Sequence, residues 1–461
     1  MKIINISKGV VFVLLLILFQ QLNAQNERSL FFLPGIPQEK YMNPAAFPEN
    51  KFYIGIPILS SMKVGLENTF TYEDFFTPVG DSIYFDRDHF IDNLNPETSL
   101  NMDMLVEYFS AGFRLNDNYF TFRIADNGNV NATFTKETLL FFLYGNGSDQ
   151  YLGKEVNLGG NGINFSFFRE YALGYSRKIN PKLNVGMNMK YLQGIANVST
   201  NDLSVSLFTD SVDYTIKLKS NIEINTSLPG ENGGIESADF MPSSDNPGFA
   251  FDFGAEYQFN EKLSAALGVT NIGFINWNAN PKNYRSSHPD EEFVYEGFEL
   301  EEYFEDNAFN SGALNNALDS IADEIGVVET AEGYRTAVPS WLNINANYRF
   351  TPSHQAGILF QNRFLQNQNW STLTLAYTYS LKDKLHAMVS NTFSRSSAIA
   401  PSFGVGTNLG PMQIFIINEN FVAPFSYRKA TFYSLHLTIN LVFRDKVKLA
   451  PEETTTPALE N

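Results

Sequence analysis

From Val338 to Phe443 apolar and polar residues take turns along the chain. Leu342, Ile344, Ala346, Tyr348 and Phe350 are separated by Asn343, Asn345, Asn347 and Arg349. Leu373, Leu375, Tyr377, Tyr379 and Leu381 are separated in the same way by Thr372, Thr374, Ala376, Thr378 and Ser380. Successive side chains of a strand point to opposite faces, so a period of two predicts strands with one greasy face and one wet face. Ile358, Phe360 and Phe364 against Gly357, Gln361 and Arg363 follow the rule less cleanly. A soluble sandwich alternates too, so alternation alone leaves two classes open.

The spacing of the turns separates them. Short polar turns lie at Asn116-Asp117-Asn118, Asn180-Pro181-Lys182, Asn260-Glu261-Lys262, Thr351-Pro352-Ser353 and Lys382-Asp383-Lys384, with a tight corner at Gly410-Pro411. The connections between these hairpins are longer: 71–101, 136–161, 220–246 and 277–339. Short turns at one end and long loops at the other are the asymmetry of an outer-membrane barrel, short turns facing the periplasm. Counting back from a last strand that ends at Phe443 to a first strand over Lys51–Phe70 gives about 14 strands, an even number as such barrels require. Two further alternating runs within 202–227 are either a loop hairpin or a pair that raises the count to about 16. Phe113, Tyr175, Tyr257, Phe259, Tyr348, Phe350, Tyr377 and Tyr379 fall just before short turns, where an aromatic girdle meets the membrane interface. The fold class predicted is therefore all-β: a transmembrane antiparallel β-barrel.

Composition agrees once the barrel is in view. A mean hydropathy of −0.18 reads as soluble, yet 42 Phe and 22 Tyr are many for 461 residues. A barrel with an apolar outer face, a polar lumen and charged loops averages out in the middle. Lys2 and Lys8 before the apolar run Val10–Phe19, with Ala24 as the cleavage point, read as a signal peptide over 1–24. The net charge of −18 argues against nucleic-acid binding, and with Cys 0 there is no thiol chemistry.

Residues 25–50 carry Pro34, Pro37, Pro44 and Pro48, a density that forbids a central strand. They are apolar enough to dock, and the segment is expected to be a plug. The barrel is then 51–444, followed by a disordered periplasmic tail over 445–461. Two stretches read as helices: Lys136–Tyr144, folding into the lumen or resting on the rim, and 310–325, within a loop. The acidic stretch Asp290–Asp306 reads as a solvated outward loop, lacking the carboxylate register of a calcium loop.

Candidate chemistry is sparse. His89, His288, His354, His386 and His436 have no metal-ligand spacing. Gly80-Asp81-Ser82 resembles the nucleophile block of one lipase family but lacks a recognisable partner block. The expectation is no enzyme, no metal and no cofactor. The inner face offers more. Lys190, Asp252, Glu256, Arg349 and Arg363 are expected to face the lumen among many amides, as in a water-filled pore or a wall that holds a plug.

The stretch Tyr41-Met42-Asn43-Pro44-Ala45-Ala46-Phe47 and the run from Phe253 through the Asn260 turn to Gly273 resemble barrels of the FadL type. They also resemble PorV-like and PorP-like barrels and a Bacteroidota outer-membrane family of unknown function. The FadL resemblance implies an N-terminal hatch held by Asn43, Pro44 and Ala45, and lateral passage of a small hydrophobic ligand across the cell outer membrane. The PorV/PorP resemblance implies instead a non-transporting scaffold that serves a periplasmic or surface protein partner. Outer-membrane lipid is the partner common to both.

Overall fold

The computed structural model describes residues 27–444 apart from 80–81, 231–240, 242–243, 290, 296–303, 306–307, 310–325, 367, 383 and 395–398. The expected signal peptide, the tail, the helix at 310–325 and most of the acidic stretch lie outside the described residues, as do Gly80 and Asp81.

The wall begins with β1, in two pieces, Phe52–Gly55 and Met62–Asn68. It continues through β2 (Glu97–Leu115), β3 (Asn118–Thr135), β4 (Gly162–Asn180), β5 (Leu183–Thr209), β6 (Pro247–Gln258) and β7 (Leu263–Trp277). The second half is β8 (Ser340–Thr351), β9 (His354–Phe364), β10 (Asn369–Leu381), β11 (Leu385–Phe393), β12 (Ala400–Leu409), β13 (Met412–Glu419) and β14 (Phe432–Phe443). Each strand pairs antiparallel with the next, and β14 returns to both pieces of β1, with Phe52 opposite Phe443 and Lys63 opposite His436. The result is a closed 14-strand barrel with no open edge.

The greasy face points out. Ile344, Tyr348, Phe350, Leu373, Leu375, Tyr377 and Tyr379 are exposed on the exterior, whereas Asn343, Asn345, Thr372, Thr374 and Thr378 are buried inside. A soluble sandwich would bury the first set. An exterior this apolar, closed on itself, is the surface of a protein solvated by lipid. The girdle residues Phe113, Tyr257 and Phe259 are likewise exposed near the short-turn end.

The runs within 202–227 do not enter the wall. At Gln193 the neighbour of β5 is still Pro247 of β6, but from Asn197 onward it is the strand Ile216–Ser227, which folds back along β5. Together with Pro281–Ser286 and Glu292–Tyr295 this strand forms a sheet standing beyond the wall at the long-loop end.

The first strand departs from the expected continuous run. Pro57 has no N–H to give the ladder, and Ile58 takes φ 69°. The chain loops out over 56–61 and resumes at Met62, with the Ile58 N–H donating to the Glu107 carbonyl at 3.0 Å. The helix Lys136–Tyr144 forms with Thr135 as its cap. It packs with Ile91, Leu94, Tyr151 and Val156 among the long loops, not in the lumen.

Candidate functional site: the plugged lumen

Residues 28–50 run down the lumen. Their apolar side chains Leu30, Phe32, Leu33 and Ile36 meet inward-facing Leu359, Met388, Phe415 and Ile417 of β9, β11 and β13 in one buried cluster. Each large side chain buried this way stabilises the docked state by roughly 1.5–3 kcal/mol. Polar contacts fix its position along the barrel. Arg28 pairs with Glu67 at 3.4 Å and its guanidinium lies 4.8 Å from the Phe432 ring centroid. The Ser29 N–H donates to Glu419 Oε1 (3.0 Å), and Thr378 Oγ1 donates to the Phe32 carbonyl (2.7 Å). Lower down, Gln38 Nε2 donates to Asn440 Oδ1 (2.9 Å) and Gln413 Nε2 to the Gly35 carbonyl (3.0 Å).

Asn43, Pro44 and Ala45 sit on a row of glycines. Gly186, Gly254 and Gly268 are register partners on β5, β6 and β7, and Gly268 faces Asn343 of β8. A Cβ at any of the three would overlap the Met42–Ala45 backbone or the Asn43 side chain. The turn is held from within by the Ala45 N–H donating to Asn43 Oδ1 (3.1 Å), and from the wall by Asn343 Nδ2 donating to the Met42 carbonyl (3.0 Å). Lys40 Nζ donates to the Pro44 carbonyl (2.8 Å), the Ala46 carbonyl (3.2 Å) and Ser176 Oγ (2.8 Å). Burial pushes Lys40 down to about 7 against the pull of Glu39. Burial, reinforced by Glu256, pushes the Glu39 carboxyl up to about 8, with Lys40 opposing.

Of the residues predicted for the lumen, Lys190 and Asp252 are in contact. They belong to a buried chain of charges: Arg123–Glu170 (2.9 Å), Glu170–Lys190 (3.5 Å) and Lys190–Asp252 (2.8 Å). Asp252 also accepts from Asn188 Nδ2 (2.7 Å) and from the Asn271 N–H (2.7 Å). Asn271 takes φ 60° at a bulge that turns both Thr270 and Asn271 inward, and Lys190 Nζ donates to its side-chain oxygen (2.6 Å). The plug joins this chain through Tyr41, whose ring lies 4.0 Å from the Arg123 guanidinium and whose hydroxyl donates to Glu107. Glu256 accepts from Asn184 (3.1 Å), and Arg363 pairs with Asp103. Arg349 shares the inner parity but lies exposed at the short-turn rim, too close to the end of β8 to be enclosed.

Sequence reasoning missed the apolar inner patch. Its signal is in the pattern: β9, β11 and β13 carry Leu359, Met388, Phe415 and Ile417 at inward positions where clean alternation would place polar residues. It also missed the turn after β9. Gln366 Nε2 donates to Ser199 Oγ (2.7 Å) and Asn201 Oδ1 (2.7 Å) across the mouth. Gln368 Nε2 donates to Thr133 Oγ1 (2.7 Å), Ser99 Oγ (3.0 Å) and Glu97. Beneath this turn is a cavity of about 250 Å³, with Phe165, Val198, Val338, Pro339, Phe364 and Leu365 in its lining. Beside it the β7–β8 ladder stops at Thr270 opposite Trp341, and pairing resumes only at Phe274 opposite Ala337.

A closed barrel with a lipid-facing exterior and a lumen occupied by its own N-terminal segment defines a plugged transmembrane β-barrel. The chain belongs to the family of unknown function DUF5723, which matches residues 44–418. No curated protein matches it. Among solved structures it is similar to the toluene transporter TodX of P. putida (9% identity, 92% of this chain and 98% of that one, TM-score 0.40). It is also similar to the toluene transporter TbuX of Ralstonia pickettii (9%, 92% and 100%, 0.43) and to a FadL homologue of Pseudomonas aeruginosa (11%, 89% and 94%, 0.41).

Proposed function

We propose that the protein is a channel of the cell outer membrane that admits small hydrophobic molecules, its resting state closed by the N-terminal plug. The observation that carries this reading is the way the lumen is closed. The stopper is a short segment of the chain itself, held by an apolar patch, a glycine row, hydrogen bonds and the Arg28–Glu67 pair. Among the described residues it contributes no strand to the barrel, so it can shift without unfolding the wall. The hatch role of Asn43, Pro44 and Ala45 belongs to the same reading, as does a non-enzymatic activity. Ser82 lies on an exposed hairpin strand and His89 on a separate helix, Arg87–Asn93. Purified protein in liposomes is expected to pass an apolar solute, and deletion of residues 26–50 to raise the leak. A wild-type barrel that passes none, with the deletion equally tight, overturns the proposal.

A second reading has its own support. The sheet formed by the end of β5, Ile216–Ser227 and Pro281–Ser286 stands beyond the wall, and a platform of this kind suits a scaffold or secretion partner that engages a surface protein. Co-purification of one stable partner, lost when 216–227 is excised while the liposome assay is unchanged, selects this reading.

A further inference from the structure

The cavity under the Gln366 turn has a composition more specific than the wall around it. Its apolar lining is interrupted by amides, among them Asn131, Asn164, Asn197 and Gln366, and among the described lining residues none is charged. Asp103, the carboxylate that Asn129 of the lining engages, is also held by Arg363. Asn131 and Asn164 are direct cross-strand partners on β3 and β4. Asn131 Nδ2 donates to Asn101 Oδ1 (2.7 Å), and Asn164 Oδ1 accepts from the Thr200 N–H (3.1 Å). Among the described residues the other ends of the two amides, Asn131 Oδ1 and Asn164 Nδ2, have no hydrogen-bond partner. One acceptor and one donor therefore come from two residues that share a face at neighbouring positions in the lining of the chamber.

We propose that this chamber binds an uncharged small molecule with an apolar body and a polar end that offers one donor and one acceptor together, as a carboxamide or lactam does. Such an end answers Asn131 Oδ1 and Asn164 Nδ2 at once, and Val338 and Leu365 take the body. An ionised carboxylate of the same shape loses its hydration and meets no cation in the lining, so it is rejected. This deepens the channel reading by naming the class of solute, and the binding step can be tested apart from passage.

The experiment compares octanamide with octanoate, matched in chain length, on the detergent-purified full chain by titration calorimetry at pH 7.5. Octanamide is expected to bind at least about tenfold more tightly than octanoate, the factor expected when a charged group is left without a partner. Ser166→Trp, in the lining, is expected to abolish the octanamide heat, and Ser166→Lys to reverse the preference by giving the carboxylate its cation. Equal or tighter binding of octanoate to the wild type overturns the proposal, and so does octanamide binding that Ser166→Trp leaves intact. Folding of each variant is read from heat-modifiable migration, with Ser340→Trp and Ser340→Lys on the facing strand as the second pair. Liposome passage is scored separately: binding without passage sinks the channel and leaves the chamber's ligand class standing.

Discussion

Gly186 lies directly against the carbonyl of Pro44, with no room for a methyl group between wall and plug. The neighbours that would have to yield are backbone atoms of a turn already pinned by Asn343 and Lys40. Gly186→Ala, Gly254→Ala and Gly268→Ala are each expected to lift the Met42–Ala45 turn, at a cost of about 1–3 kcal/mol of docking energy for overpacking. Single-channel recordings should show more frequent openings in each. Gly147→Ala, where an added Cβ meets nothing within 4 Å, is the control expected to record as wild type.

The apolar patch makes a separate prediction. Phe32 is almost fully buried and reaches Gly357 as well as the cluster around Leu359 and Phe415. Phe32→Ala should weaken docking by about 3–5 kcal/mol, since the rigid wall cannot collapse into the space vacated. Limited proteolysis is the readout: the 28–50 segment becomes cleavable while the barrel stays resistant. Unchanged resistance of the segment would rule out the patch as its anchor.

Removing one member of the buried charge chain is expected to hurt more than removing a pair. Asp252→Leu takes from Lys190 its closer carboxylate and leaves it Glu170 at 3.5 Å and the Asn271 side-chain oxygen, a loss of about 3 kcal/mol for a buried pair broken on one side. It also frees the Asn271 N–H that holds the bulge. The double change Asp252→Leu with Lys190→Met should recover part of this in thermal unfolding. A double variant no better than the single one would show that the bulge contact, not the charge, dominates.

Plug docking is expected to depend on pH through Glu39 and Lys40. A carboxyl raised to about 8 contributes stability that is complete below its unfolded value of 4.5 and lost as pH rises through 8. A lysine lowered to about 7 contributes stability that is complete above its unfolded value of 10.5 and lost as pH falls through 7. The two losses overlap between pH 7 and 8, where the plug should be loosest, tightening toward pH 5 and toward pH 10. The chain has Cys 0, so one nitroxide introduced at exposed Pro34 reports plug mobility without background. Glu39→Gln should flatten the acid side of the profile and leave the alkaline side.

The turn after β9 can be tested by shortening its amides. Gln366→Ala and Gln368→Ala each remove bonds across the mouth, at roughly 1 kcal/mol per bond. Faster access of an apolar solute to the chamber, with plug protection unchanged, is the expected result.

How much of this was legible depended on whether a feature is local. Strict alternation in β8 and β10, and turn residues such as Asn260 and Pro352, are written into neighbouring positions, so the barrel and a count of about 14 or 16 strands could be read directly. The ambiguity at 202–227 could not be resolved locally, because those runs do form strands. What excludes them from the wall is the prior claim of β6 on the edge of β5. The plug could be foreseen from its prolines and its Asn43-Pro44-Ala45 motif, but its seat could not. Gly254 and Gly268 face each other across one hairpin, but Gly186 lies beyond a long connection, and only the register brings all three into one row. Lys190 and Asp252 were foreseen as lumen residues, whereas their partners Arg123 and Glu170 were hidden among residues that read as ordinary strand. Arg349 misled because parity fixes the face of a side chain and says nothing of its depth.

The plug leads straight into β1, and β1 is the strand against which β14 closes the barrel. That continuity leashes the stopper to the seam. When Phe32 and Leu33 leave their seat, the segment stays tied at Phe52 to the strand that closes the ring. Its return is then an intramolecular step, governed by the length of the tether and not by the concentration of the protein.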